Sequence, residues 1–153
     1  MKLSVIAIGR DRSGAEIELF ERYAARLRPE LSLTTLGDGV GTATEIKRRE
    51  AKAILAKLRP RDYVVALDEG GVLIDTAGLA GLLDQWRLAG NDCVFIVGGA
   101  EGLDASILDR AAVTLSLGKL TFPHLLARAI LAEQLYRAQS ILSGHPYHRA
   151  SHA

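Results

Sequence analysis

The chain lacks any apolar run approaching the roughly 18 to 20 residues needed to cross a bilayer. Its first apolar stretch, Leu3 to Ile8, is shorter than the about 7 to 15 residues of a signal-peptide core, and Arg10, Asp11 and Arg12 follow at once. A disulfide within the chain is excluded because Cys93 is the only cysteine. Set in an apolar stretch, it reads as a core thiol in a reducing compartment, so the expected location is cytoplasmic. Net charge is nearly absent: 19 Lys and Arg stand against 18 Asp and Glu, leaving +1. That argues against coating nucleic acid by bulk electrostatics, while leaving room for a local basic patch. Repeats, linkers and low-complexity segments are missing too. The 153 residues are therefore expected to form one domain, large enough to bury a core.

What the chain does contain is five short apolar runs alternating with helical patterns. The runs are Leu3 to Ile8, Leu31 to Leu36, Tyr63 to Leu67, Val94 to Val97 (with Cys93 opening it) and Ala112 to Leu117. Between them the spacing predicts helices over 14–28, with Ser13 as cap and Glu16 completing a capping box, and from Thr42 or Thr44 to Leu58. Further helices are expected with Thr76 as cap to about Leu88, with Asp104 as cap to Ala111, and from about Phe122 to Leu142. Strands alternating with helices predict an α/β fold, a parallel sheet with helices on both faces. Lys47, Arg48, Arg49, Lys52 and Lys57 lie along the second helix, as a solvated face or as a docking surface for a polyanion. The last helix projects apolar side chains almost all round: Phe122, Leu125, Leu126, Ala129 and Tyr136 on one side, Leu131, Leu135 and Leu142 on the other. Such a helix needs a second covering surface, and a second copy of the chain is the simplest supplier. Glu133 falls within this pattern with Arg137 one turn later, either a buried pair or an ordinary exposed one.

Three strand ends carry glycine: Leu67-Asp68-Glu69-Gly70-Gly71, Gly98-Gly99-Ala100-Glu101-Gly102 and Gly118-Lys119-Leu120-Thr121. The middle one is no dinucleotide fingerprint, since Ala100 and Leu103 stand where that pattern needs its second and third glycines. No Lys-Ser/Thr pair follows, so it is no phosphate-binding P-loop. Each loop is either a tight turn or part of a crevice at the sheet edge that binds a flat heterocycle such as adenine through open backbone. The first 123 residues hold no histidine; all four, His124, His145, His148 and His152, come later. The spacing of His145, His148 and His152 alone would serve zinc, but no Cys or carboxylate completes a site, so no metal is expected. Tyr147, His148 and Arg149 on a terminal tail better suit stacking on and pairing with RNA, and Arg128 adds to a locally basic end. No Ser-His-Asp or Cys-His arrangement is legible.

The segments IVGGAEG, LSLGKLTFPH, RAILAEQLYRAQSI and HPYHR, with the opening MKLSVIAIG, closely resemble the ribosomal RNA large subunit methyltransferase H family of SPOUT-class enzymes. The resemblance spans the whole chain. It departs from the common pattern in the loop 9–14 and in the extension 150–153. It implies a SPOUT-type α/β knot with a C-terminal trefoil, and methylation of N3 of a pseudouridine in 23S rRNA, with S-adenosylmethionine as donor. The assembled large subunit or whole ribosome is the expected substrate, given the near-neutral charge, and a homodimer the expected assembly. Carried over, the cofactor contacts fall on Leu67, Gly98 and Gly99, and on Leu117, Gly118, Lys119, Leu120, Thr121 and Phe122. Candidate catalytic groups are His124, Tyr147, His148 and Arg149. Candidate RNA contacts are Arg128, His145, Tyr147, His148 and Arg149. Other readings are a SPOUT enzyme acting on another RNA such as tRNA, and a non-catalytic RNA- or nucleotide-binding module.

Overall fold

In the computed structural model, which describes residues 1–149, the apolar runs become strands, of which the central β1 and β4 are buried on both faces and the edge strand β2 is largely exposed. They are β1 (Leu3–Ile8), β2 (Ser32–Leu36), β3 (Tyr63–Leu73), β4 (Cys93–Val97) and β5 (Val113–Ser116). All are parallel, in the order β2-β1-β4-β3-β5. Helices α1 (Ala15–Arg26), α3 (Thr76–Leu88) and α5 (His124–Ser143) cover one face; α2 (Ala43–Lys57) and α4 (Ala105–Arg110) cover the other. Alternation along each strand divides the core accordingly. Val5, Ala7, Phe95 and Val65 point toward α1, α3 and α5, and Ile6, Ile8, Ile96 and Ala66 toward α2 and α4. Cys93 joins the first cluster, fully packed.

Helix starts differ from expectation in two places. Ser13 does not cap α1; Gly14 occupies that position at φ +123°, with no side-chain cap. Asp75 rather than Thr76 caps α3, its Oδ1 accepting the Gly78 N–H at 2.7 Å. Thr42 and Glu45 do form a reciprocal capping box on α2, and Asp104 caps α4. α5 begins at His124, with Pro123 as its cap residue, and ends in a left-handed Gly144 whose neighbour His145 donates to Ser140 O at 2.9 Å.

Two larger expectations change. Asp68 to Gly71 is not a loop: β3 runs on to Leu73, with a register shift against β5 between Leu67 and Val72. Gly71 permits the crossing, because a Cβ there would lie 2.7 Å from the backbone of Leu115 and Thr114. The all-round apolar surface of α5 is also covered mostly from within the chain. Leu131, Ala132, Leu135 and Ala138 are buried beneath α1, α3 and the sheet, leaving Leu125, Leu126 and Tyr136 half-buried and Leu142 exposed.

Candidate active site

β4, β3 and β5 are neighbours in the sheet, and the loops leaving β4 and β5, with the irregular middle of β3, enclose a cleft of about 890 Å³. Leu67, Asp68 and Glu69 form one wall; 97–103 form the second; Leu117, Gly118, 120–124 and Ala127 form the third. Of the nine residues expected to hold the cofactor, eight line this cleft. Lys119 alone does not, and its side chain is exposed. The glycine loop is shaped by close contacts. A Cβ on Gly98 would meet Leu103 Cδ2 at 3.0 Å and Gly102 backbone at 3.2 Å, and the Gly102 N–H donates to Gly99 O at 3.1 Å. In the third wall Ser116 Oγ accepts from Gly118 N at 3.1 Å and donates to Gly118 O at 2.9 Å, clamping that turn.

The charged side chains lining the cleft are all carboxylates, namely Asp68, Glu69 and Glu101; no Lys or Arg lines it. A phosphate-rich ligand would meet unfavourable charge there, whereas a cationic one would not.

Two buried charged residues brace the cleft from behind. Arg128 is 2% exposed, and its Nη2 donates to Ile8 O at 2.7 Å and to Gly9 O at 2.8 Å. Gly9, at φ +109°, leaves room for this: a Cβ there would lie 3.0 Å from His124 Nε2 and 3.1 Å from Arg128 Nη2. Burial pulls the guanidinium's pKa below its ordinary value, partly offset by Asp11 and Asp38. Arg128 is therefore a strut between β1 and α5 rather than an RNA contact, because its charge is turned inward onto backbone carbonyls. Glu50 of α2 is the second brace, unremarked in the sequence. It accepts the Gly39 N–H at 2.9 Å and packs beneath Gly99, whose Cβ would lie 3.3 Å from Glu50 Oε1. Its position offered a signal: Ile46, Glu50 and Ile54 fall at intervals of four, so a carboxylate interrupts the inward stripe.

His124 lines the cleft, but the tail does not. Tyr147 folds back along α5 to its middle, edge-on to Tyr136 at 4.7 Å, with Arg137 over its ring and its hydroxyl reaching Glu133 Oε1 at 3.2 Å. Arg137 pairs with Glu133 at 2.6 Å and donates to His148 Nδ1 at 3.2 Å. Glu133 is thus the partly buried, paired carboxylate, and that pairing raises the Arg137 pKa. Because arginine only donates, His148 Nδ1 is the acceptor in this contact. Burial, with Tyr23 and Glu133, raises the Tyr147 pKa well above its ordinary value. His145 and Arg149 are exposed. His124, in the first turn of α5, is thus apart from the tail: Glu133, which Tyr147 reaches, lies nine residues further along the helix, about 14 Å by helical rise. Among the described residues no cluster could hold a metal ion, and His152 of the zinc spacing lies outside them. No described helix is long and apolar enough to cross a membrane.

The family profile described as "Predicted SPOUT methyltransferase" matches residues 1–148. The chain belongs to the SPOUT methyltransferase family. Among its SPOUT relatives, the ribosomal RNA large subunit methyltransferase H of Acidiphilium cryptum is 58% identical over 149 residues, covering 97% of this chain and 94% of that one. The enzyme of the same name from Gluconacetobacter diazotrophicus is 52% identical over 148 residues, covering 97% of each. A looser likeness is to the SpoU methyltransferase AviRb from Streptomyces viridochromogenes, solved in complex with AdoMet. Its TM-score is 0.49 at 15% identity, over 90% of this chain and 58% of that one. The parallel five-stranded sheet with helices on both faces agrees with the SPOUT assignment.

Proposed function

We propose that this protein methylates N3 of a pseudouridine in 23S rRNA, using S-adenosylmethionine, on the assembled large subunit or ribosome. The observation that carries the cofactor assignment is the cleft itself: open glycine backbone at adjoining strand ends, with carboxylates as the charged lining. That lining fits a ligand bearing a sulfonium and an ammonium group. Leu67, Gly98, Gly99, Leu117, Gly118, Leu120, Thr121 and Phe122 would hold it, with the surrounding chain knotted as the family resemblance implies. When bound, the cofactor supplies an electrophilic methyl group. The identity of the relatives supports rRNA as the substrate.

The protein's own task is to orient the base and to take the N3 proton, since a protonated imide nitrogen is a poor nucleophile. His124, at the cleft, is the group we assign to that proton. Tyr147 is held as a neutral phenol, and His148 Nδ1 is already occupied by Arg137, so neither is placed to act as base. Tyr147, His148, Arg149 and His145 instead contact RNA.

The separation of His124 from its own tail supports a homodimer in which the tail of one copy reaches the cleft of the other. Half-buried Leu125 and Leu126 give α5 a remaining apolar edge for that contact. Mixing two inactive proteins tests this. Gly98→Val spoils the cleft, and a truncation before His145 removes the tail. Subunit exchange is expected to restore roughly a quarter of wild-type turnover, since half the dimers then hold one complete site. No recovery in proven mixed dimers contradicts the shared site.

A further inference from the structure

We propose that the outer face of α2, at Arg48 and Lys52 with the half-buried Lys47 at its margin, is the surface on which the phosphate backbone of the RNA substrate rests; this inference rests on the rRNA methyltransferase reading above. The charge of the chain is segregated. Between Glu45 and Arg61 seven Lys and Arg stand against two carboxylates, whereas the remainder carries twelve basic residues against sixteen acidic ones. One of those two carboxylates, Glu50, is buried on the inner side of the helix, and the other, Glu45, is engaged by Arg49 at 3.3 Å. Lys47, Arg48 and Lys52 form no salt bridge among the described residues, and Arg48 and Lys52 are exposed.

A face built only for solvation gains from opposite charges at i and i+4. Arg48 and Lys52, at that spacing, repel each other. Such an arrangement is relieved by an anion lying across both, and a nucleic-acid backbone presents phosphates in series.

The face is also in the right place. Glu50, on the inner side of the same helix, packs under Gly99 of the cleft loop. Lys47 and Arg48 lie close enough to Asp104, the α4 cap that follows that loop, for their charges to help lower its pKa, after the hydrogen bonds from Ser106. The cleft lining is acidic, so it would repel phosphate. α2 offers the neighbouring basic ridge, and a substrate whose base enters the cleft would lay its backbone there.

The test reads binding, not chemistry. Ribosomes from a strain lacking the modification are co-sedimented with the full-length protein over a salt series. The variants are wild type, Arg48→Gln, and the triple Lys47→Gln/Arg48→Gln/Lys52→Gln. The slope of log affinity against log salt should become shallower by about 1 in the single variant and about 2 to 3 in the triple one. S-Adenosylmethionine affinity by calorimetry should stay unchanged. Arg22→Gln/Arg87→Gln, on the opposite face of the sheet, should leave the slope as in wild type. An unaltered slope in the triple variant, or an equal change in the control pair, overturns the proposal. Salt-dependent binding without any methyl transfer would instead refute the enzymatic reading and leave the docking face standing.

Discussion

Arg128→Met separates a structural strut from an RNA contact. The substitution removes two hydrogen bonds from a charged donor to Ile8 O and Gly9 O, at 2.7 and 2.8 Å. At roughly 1.5 to 3 kcal/mol each, their loss amounts to about 3 to 6 kcal/mol. Against that stands relief from holding a guanidinium out of water, its Nε without a partner. A net loss of about 2 to 4 kcal/mol follows. For a domain of this size, about 2 to 4 °C per kcal/mol converts this to a fall of roughly 4 to 16 °C in Tm. Because Arg128 ties the end of β1 to the first turns of α5, cofactor affinity should weaken too. Circular dichroism melts, calorimetry with S-adenosylmethionine and the ribosome-binding salt slope read the three consequences. The account requires a lower Tm with an unchanged salt slope. A Tm shift below about 2 °C together with a shallower slope would show Arg128 meeting phosphate and would refute the strut.

Three further outcomes follow from particular contacts. The fold favours the neutral phenol of Tyr147, so that stabilisation is whole below the ordinary tyrosine pKa of about 10 and is lost as pH rises through the higher folded value. Alkaline melts should show this decline in wild type and a weaker one in Tyr147→Phe; identical curves would contradict it. Burial pushes the Cys93 thiol up to about 12, so alkylation at neutral pH should fail in the folded protein and proceed after denaturation. Rapid labelling of the native state would show the packing of β4 to be wrong. Gly71→Ala drives a Cβ to 2.7 Å from β5 backbone and should cost about 1 to 3 kcal/mol in urea unfolding. Gly81→Ala, within α3 and facing open space, should stabilise by about 0.5 to 1 kcal/mol. Equal effects would contradict the difference in their surroundings.

Periodicity made the sheet legible: runs such as Val94 to Val97 are buried on both faces and need little context to become central strands. Glycines at the ends of β4 and β5 marked the cleft, since open backbone is a local property. The course of β3 through Gly70 and Gly71 was not legible, because it depends on how closely β5 passes. Arg128 and Glu50 were hidden for a related reason. Each sits on an inward stripe, beside Leu131 and Leu135 in one helix and between Ile46 and Ile54 in the other, yet the partners that make burial tolerable are distant backbone groups. Composition suggests RNA contact for the tail but says nothing of where it packs. Glu133 and Arg137, one turn apart in sequence, are what hold it back against the middle of α5.

The most direct measurement is methylation of ribosomes from a strain lacking the modification, using labelled S-adenosylmethionine and mapping the modified nucleotide. The account predicts a single methyl group on N3 of a pseudouridine in 23S rRNA, absent with the tail-truncated protein. Label on another RNA, label on another atom, or no transfer by a protein that binds the cofactor would contradict it.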